Sequence, residues 1–118
     1  MEKVEEKEME VFRKKFEQYS KLFSEYIKMV FPKSTRKTGM LAEQRRLDSL
    51  LENEEFLERR KRLSELQNEL ETLFLRIVER PKVAIKYAQD LRLIADLVWL
   101  WDKPYRINQA LEKLPPET

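Results

Sequence analysis

The chain contains no histidine, no cysteine and only one glycine, Gly39, among its 118 residues. Each absence removes a class of chemistry. Without an imidazole there is no proton carrier for a Ser-His-Asp triad, no His-ligated zinc and no Glu-x-x-His di-iron site, and without a thiolate there is no zinc ribbon or iron–sulfur cluster. A lone glycine cannot build the Gly-x-x-x-x-Gly-Lys phosphate cradle or the Gly-x-Gly-x-x-Gly dinucleotide turn, both of which need several positions where backbone approaches phosphate closely. No cofactor is expected. The lack of disulfides suits a reducing compartment.

Long hydrophobic runs are missing as well. The opening Met1-Glu2-Lys3-Val4-Glu5-Glu6-Lys7-Glu8 is too charged for the apolar core of a secretory signal. The most apolar stretch, Leu91 to Trp101, is interrupted by Arg92 and Asp96 and falls well short of the roughly 20 residues that span a bilayer. We therefore expect a soluble cytoplasmic protein that does not associate with membranes. Heavy use of Glu, Lys and Arg with few Asn matches the composition of thermophile proteins.

What the chain does have is helical periodicity. Apolar residues make up 42% and charged residues 39%, with 24 basic against 22 acidic side chains, a mixture that folds rather than one that stays extended as a charged tail. The length suits a single helical domain over residues 1–118. Met9, Phe12, Phe16, Tyr19, Phe23, Tyr26 and Val30 recur at steps of three and four, which predicts one helix over residues 3–30 with its stripe facing a partner helix. Val4, Val11, Leu22 and Met29 widen that arc enough to reach two neighbours. At about 1.5 Å per residue such a helix is roughly 40 Å long, so an elongated molecule follows.

Pro32 and the polar run to Gly39 mark the main loop. A second helical region covers residues 40–80, but its apolar face drifts out of phase. Leu63, Leu66, Leu70, Leu73 and Ile77 share one side, and Leu47, Leu50 and Leu51 project close to the other, so either the helix breaks or kinks near Asn53, a good N-cap residue and the favoured reading, or a straight helix contacts different partners at its two ends. Pro81 opens a third helix running to about Trp101, with Val83, Ala84, Tyr87, Ala88, Leu91, Ile94, Ala95, Val98 and Trp99 as its main face. Its alanines allow close helix approach, which places it at the centre of the fold. Asp102 is the expected cap of a short C-terminal helix carrying Ile107, Leu111 and Leu114. The fold class is all-α: an elongated helical bundle of three main helices plus a short C-terminal helix.

Few residues gather in a chemical pattern. Asp90, Asp96 and Asp102 are six apart and do not share a helical face; Arg92 and Asp96 read instead as an i, i+4 pair. Glu52, Glu54, Glu55 and Glu58 are followed at once by Arg59, Arg60, Lys61 and Arg62, so surface pairs such as Glu55–Arg59 and Glu58–Arg62 are favoured over a metal site. Arg59 itself falls on the leucine face, either snorkelling at the end of the stripe or meeting a carboxylate or ligand. The basic residues Lys33, Arg36, Lys37, Arg45 and Arg46 stand against only Glu43 and form the candidate anion-binding region, with Thr38 positioned to cap the following helix. No aromatic lies among them to stack on bases, and the whole chain is only +2.

The remaining feature is a second, narrower stripe on the third helix. Leu93, Leu97 and Leu100 at i, i+4 and i+7 lie opposite its main face, and Trp101 turns toward the same side, whereas Trp99 turns inward. These four residues are the interface candidates. Either the C-terminal helix covers them or a second subunit does. The reading that follows is a noncatalytic helical interaction or scaffold module that self-associates as a homo-oligomer, a homodimer in the simplest case, or docks a protein partner. A nucleic-acid or phosphoanion-binding module using residues 33–46 comes second, and a small helical enzyme acting on an anionic metabolite third.

Overall fold

The computed structural model describes residues 2–30 and 40–116, and side-chain surroundings for residues 7–30 and 44–116. Among the described residues every regular element is helical: α1 (Glu2–Val30), α2 (Met40–Leu51), α3 (Glu54–Val78), α4 (Pro81–Lys86), α5 (Ala88–Val98) and α6 (Tyr105–Lys113). They form the elongated all-α bundle anticipated above, 55 × 27 × 23 Å along its principal axes. The loop centred on Pro32 and Gly39, with Lys33, Arg36, Lys37 and Thr38, lies outside the described residues.

The spine of the fold is the seam between α1 and α3. On α1, Met9, Phe12 and Tyr19 are fully enclosed, and Phe16, Phe23 and Tyr26 pack against the same core from its edge. On α3 the i, i+3, i+4 series Leu63, Leu66, Leu70, Phe74 and Ile77 is buried against them. Each such side chain removed from water contributes about 1.5–3 kcal/mol. The aromatic residues stack in sequence: Tyr19 on Phe23 at 5.7 Å between ring centres, Phe23 on Tyr26 at 6.3 Å, and Tyr26 on Phe56 of α3 at 5.1 Å.

The break between α2 and α3 falls where the phase of the leucines demands it. The Asn53 side chain accepts a hydrogen bond from the Phe56 backbone N–H at 3.1 Å, satisfying one of the orphan donors of the new helix. Arg46 on α2 closes the other side of the connection. Its guanidinium donates to the Met29 carbonyl at 3.1 Å and the Val30 carbonyl at 2.6 Å, half-buried acceptors at the end of α1.

The central helix is α3, not the segment after Pro81: α3 packs against α1, α2, α4 and α6. The third helix is also not continuous to Trp101. Pro81 begins α4 as expected, but Tyr87 leaves helical geometry at φ −111° and ψ 21°, and a new helix, α5, starts at Ala88. At the break Arg13 from α1 lies 5.1 Å above the Tyr87 ring while its guanidinium pairs with Asp90, one turn later. The break falls at a site with neither proline nor glycine.

α5 ends at Val98 rather than at Trp101. Trp99 turns into the core, edge-on to Phe74 at 6.2 Å. The Val98 carbonyl accepts from the Tyr19 hydroxyl at 3.2 Å and from the Gln67 side-chain amide at 3.3 Å, and Gln67 also donates to the Tyr19 oxygen at 3.2 Å. Side chains from α1 and α3 thus satisfy the acceptor that a longer helix would have used. α6 starts after Pro104 with no side-chain cap, so Asp102 does not cap it. Its Ile107 and Ala110, with Leu114 just beyond, are buried on the main core.

Candidate functional site

The placement of α6 decides what happens to the second stripe of α5. α6 packs on α3, and its apolar face joins the core shared by α1, α3 and the inner side of α5. The outer side of α5 and the residues just past its end are left open: Leu93 is 58% and Leu97 50% exposed on the helix, and Leu100 62% and Trp101 87% beyond it. The C-terminal helix therefore does not cover these residues. Ile85 of α4, before the break at Tyr87, is exposed as well. Exposed single leucines are ordinary, but a contiguous row ending in a solvent-facing tryptophan is a mark of an interaction surface.

Each end of this face has a cleft. At the α4–α5 bend a cleft of about 400 Å³ is bordered by Ile85, Tyr87, Gln89, Arg92 and the Pro115-Pro116 pair. Its charged groups are already engaged. Asp90 pairs with Arg13, and Arg92 donates to the Leu114 carbonyl at 3.1 Å and to the Pro115 carbonyl, pinning the end of α6 beneath the bend. At the other end a cleft of about 340 Å³ lies between Gln67, Glu71, Trp99, Trp101, Asp102 and Pro104. Asp96 pairs with Lys103 at 2.6 Å, so the expected Arg92–Asp96 pair gives way to two longer-range contacts.

The other sequence candidates fall elsewhere. Arg45 is exposed on α2 while Arg46 holds the end of α1; Lys33, Arg36 and Lys37 lie outside the described residues. Arg59 does meet carboxylates, with Glu55 at 2.9 Å and Glu25 of α1 at 3.6 Å, and its other terminal nitrogen donates to the Met29 sulfur at 3.1 Å. It is a strut between α1 and α3. The Glu55–Arg59 pair forms as expected, whereas Arg62 pairs forward with Glu65 at 3.3 Å. Among the described residues no group of three or more acidic side chains is arranged to hold a metal ion, and no helix is long and apolar enough to cross a membrane.

The stripe itself was readable from spacing, but the α4–α5 cleft was not. It depends on the helix break at Tyr87 and on the return of Leu114 and Pro115 to Arg92. No protein-family model, no curated protein and no solved structure matches the chain.

Proposed function

We propose that this chain is a noncatalytic helical interaction module that self-associates through the outer face of α5. The observation that supports the reading is the open row Leu93, Leu97, Leu100 and Trp101, left uncovered although α6 was available to shield it. Covering such a row removes apolar surface from water at about 25 cal/mol per Å², a driving force the folded monomer leaves unused. In the cleft at the α4–α5 bend, Asp90 and Arg92 are already tied into an ion pair and carbonyl contacts, which favours docking over catalysis there.

Light scattering at micromolar concentration tests the reading. The wild-type chain is expected at twice the 14.4 kDa of one chain, and Leu93→Glu with Leu97→Glu at the monomer mass with an unchanged helical circular dichroism spectrum. A wild-type monomer at the highest attainable concentration would reject it.

A further inference from the structure

The cleft of about 340 Å³ between α3 and the α5–α6 connection differs from the one at the α4–α5 bend, because its carboxylates have no partners. Glu71 on α3 and Asp102 on the connection form no ion pair and no side-chain hydrogen bond, and Lys103, the neighbour of Asp102, is committed to Asp96 at 2.6 Å. None of the described residues lining the cleft is basic. Gln67 lies one turn before Glu71 on the same face of α3. Its amide nitrogen is engaged by the Tyr19 oxygen at 3.2 Å and the Val98 carbonyl at 3.3 Å, so its side-chain oxygen remains as a further acceptor with no donor from the chain.

A donor stands in the same wall. Trp99 is 5% exposed and packed edge-on to Phe74, yet its indole N–H forms no hydrogen bond with the chain. The nitrogen is not enclosed by protein, and the surface that Trp99 lines is this cleft. A buried indole N–H ordinarily meets an acceptor, and here that acceptor has to come from outside. Trp101 adds an exposed aromatic face at the rim.

Together these groups call for a ligand with a cationic head rich in N–H donors, a flat surface and one acceptor. We propose that the cleft binds an arginine residue of an extended peptide segment. Its guanidinium meets Glu71 and Asp102 and stacks on Trp101, and a backbone carbonyl of the segment accepts from the Trp99 N–H. A guanidinium pairs with carboxylates through a planar fork and stacks on indole, whereas an ammonium is a hydrated point charge. A free polyamine carries no acceptor and leaves the Trp99 donor unanswered. The volume is at the small end of the roughly 300–1,000 Å³ of ligand pockets, which suits one side chain with its peptide group. This site does not depend on self-association through α5.

Trp99 and Trp101 are the only tryptophans, so indole emission reports on the cleft directly. At low salt, N-acetyl-arginine methylamide is expected to give a saturable change in emission, and the uncharged citrulline analogue none. Glu71→Gln with Asp102→Asn should weaken binding about tenfold or more. Trp101→Leu, read through Trp99, should weaken it about threefold. The helical circular dichroism spectrum should be unchanged in both variants. Ethylguanidinium, which has the charge but no carbonyl, should bind about fivefold more weakly than the blocked arginine. The same titration on Leu93→Glu with Leu97→Glu, where no dimer can hide the cleft, should show binding no weaker than in wild type. No saturable response in either chain, or one that survives Glu71→Gln with Asp102→Asn, would overturn the proposal whatever the mass of the wild-type chain. Ethylguanidinium or the citrulline analogue bound as tightly as the blocked arginine would overturn it as well, the first by leaving the Trp99 N–H without a role and the second by removing the carboxylates.

Discussion

Tyr19 carries its hydroxyl into the seam between α1 and α3, where it donates to the Val98 carbonyl and accepts from Gln67. Burial raises its pKa above the usual value near 10, because the phenolate loses hydration there, and the Gln67 hydrogen bond offsets part of that rise. The unfolded chain releases this proton at a lower pH than the folded one. Stability from this site is therefore complete below pH ~10 and is lost as pH rises toward the folded value. Tyr19→Phe should cost about 0.5–1.5 kcal/mol at neutral pH, since Gln67 still donates to Val98. The variant should also lose less stability than wild type as pH climbs above about 10. Urea titrations of both proteins across that range measure the difference; parallel pH curves would mean that Tyr19 does not titrate with folding.

At the scale of elements, Asn53 accounts for how a drifting leucine pattern becomes two helices. Its side chain caps α3 at Phe56, and its own N–H donates to the Leu50 carbonyl at 3.0 Å, so one residue closes α2 and opens α3. Asn53→Ala should destabilise the protein by about 1 kcal/mol, and Asn53→Gly by only a few tenths, because glycine still tolerates the cap geometry. Denaturant unfolding monitored by helical signal separates the two; equal losses would discard the capping account. The cap was legible because both its causes, a phase change and an N-cap residue, sit within one turn of sequence. The bend at Tyr87 was hidden for the opposite reason. The contacts that accompany it, Arg13 of α1 with Tyr87 and Asp90, are made across most of the chain. The same holds for the end of α5, set by Tyr19 and Gln67, and for the centrality of α3, which small residues after Pro81 had suggested for another helix. The outer stripe of α5 was legible as a pattern; whether α6 covered it depended on where a nine-residue helix came to rest.

The whole molecule is stretched. Its radius of gyration is 17.6 Å, against about 13–14 Å for a compact domain of this length. Its accessible surface is 9038 Å², against roughly 6,800 Å² for a compact monomer of this mass. A rod two helices wide keeps more apolar surface in water than a globule does, and on this rod part of that surface is gathered on one side of α5. Association that requires the folded face stabilises only the native state, so folding and self-association become linked. The midpoint of thermal unfolding should then rise with chain concentration, by on the order of 5 °C between samples well below and well above the dissociation constant. Leu93→Glu with Leu97→Glu should unfold at one temperature whatever its concentration, near the dilute limit of wild type, because both positions are solvent-exposed in the single chain. Calorimetry over a hundredfold concentration range compares them. A wild-type midpoint as independent of concentration as that of the variant would mean that the leucine row stays in water and that the stretched shape belongs to a stable monomer.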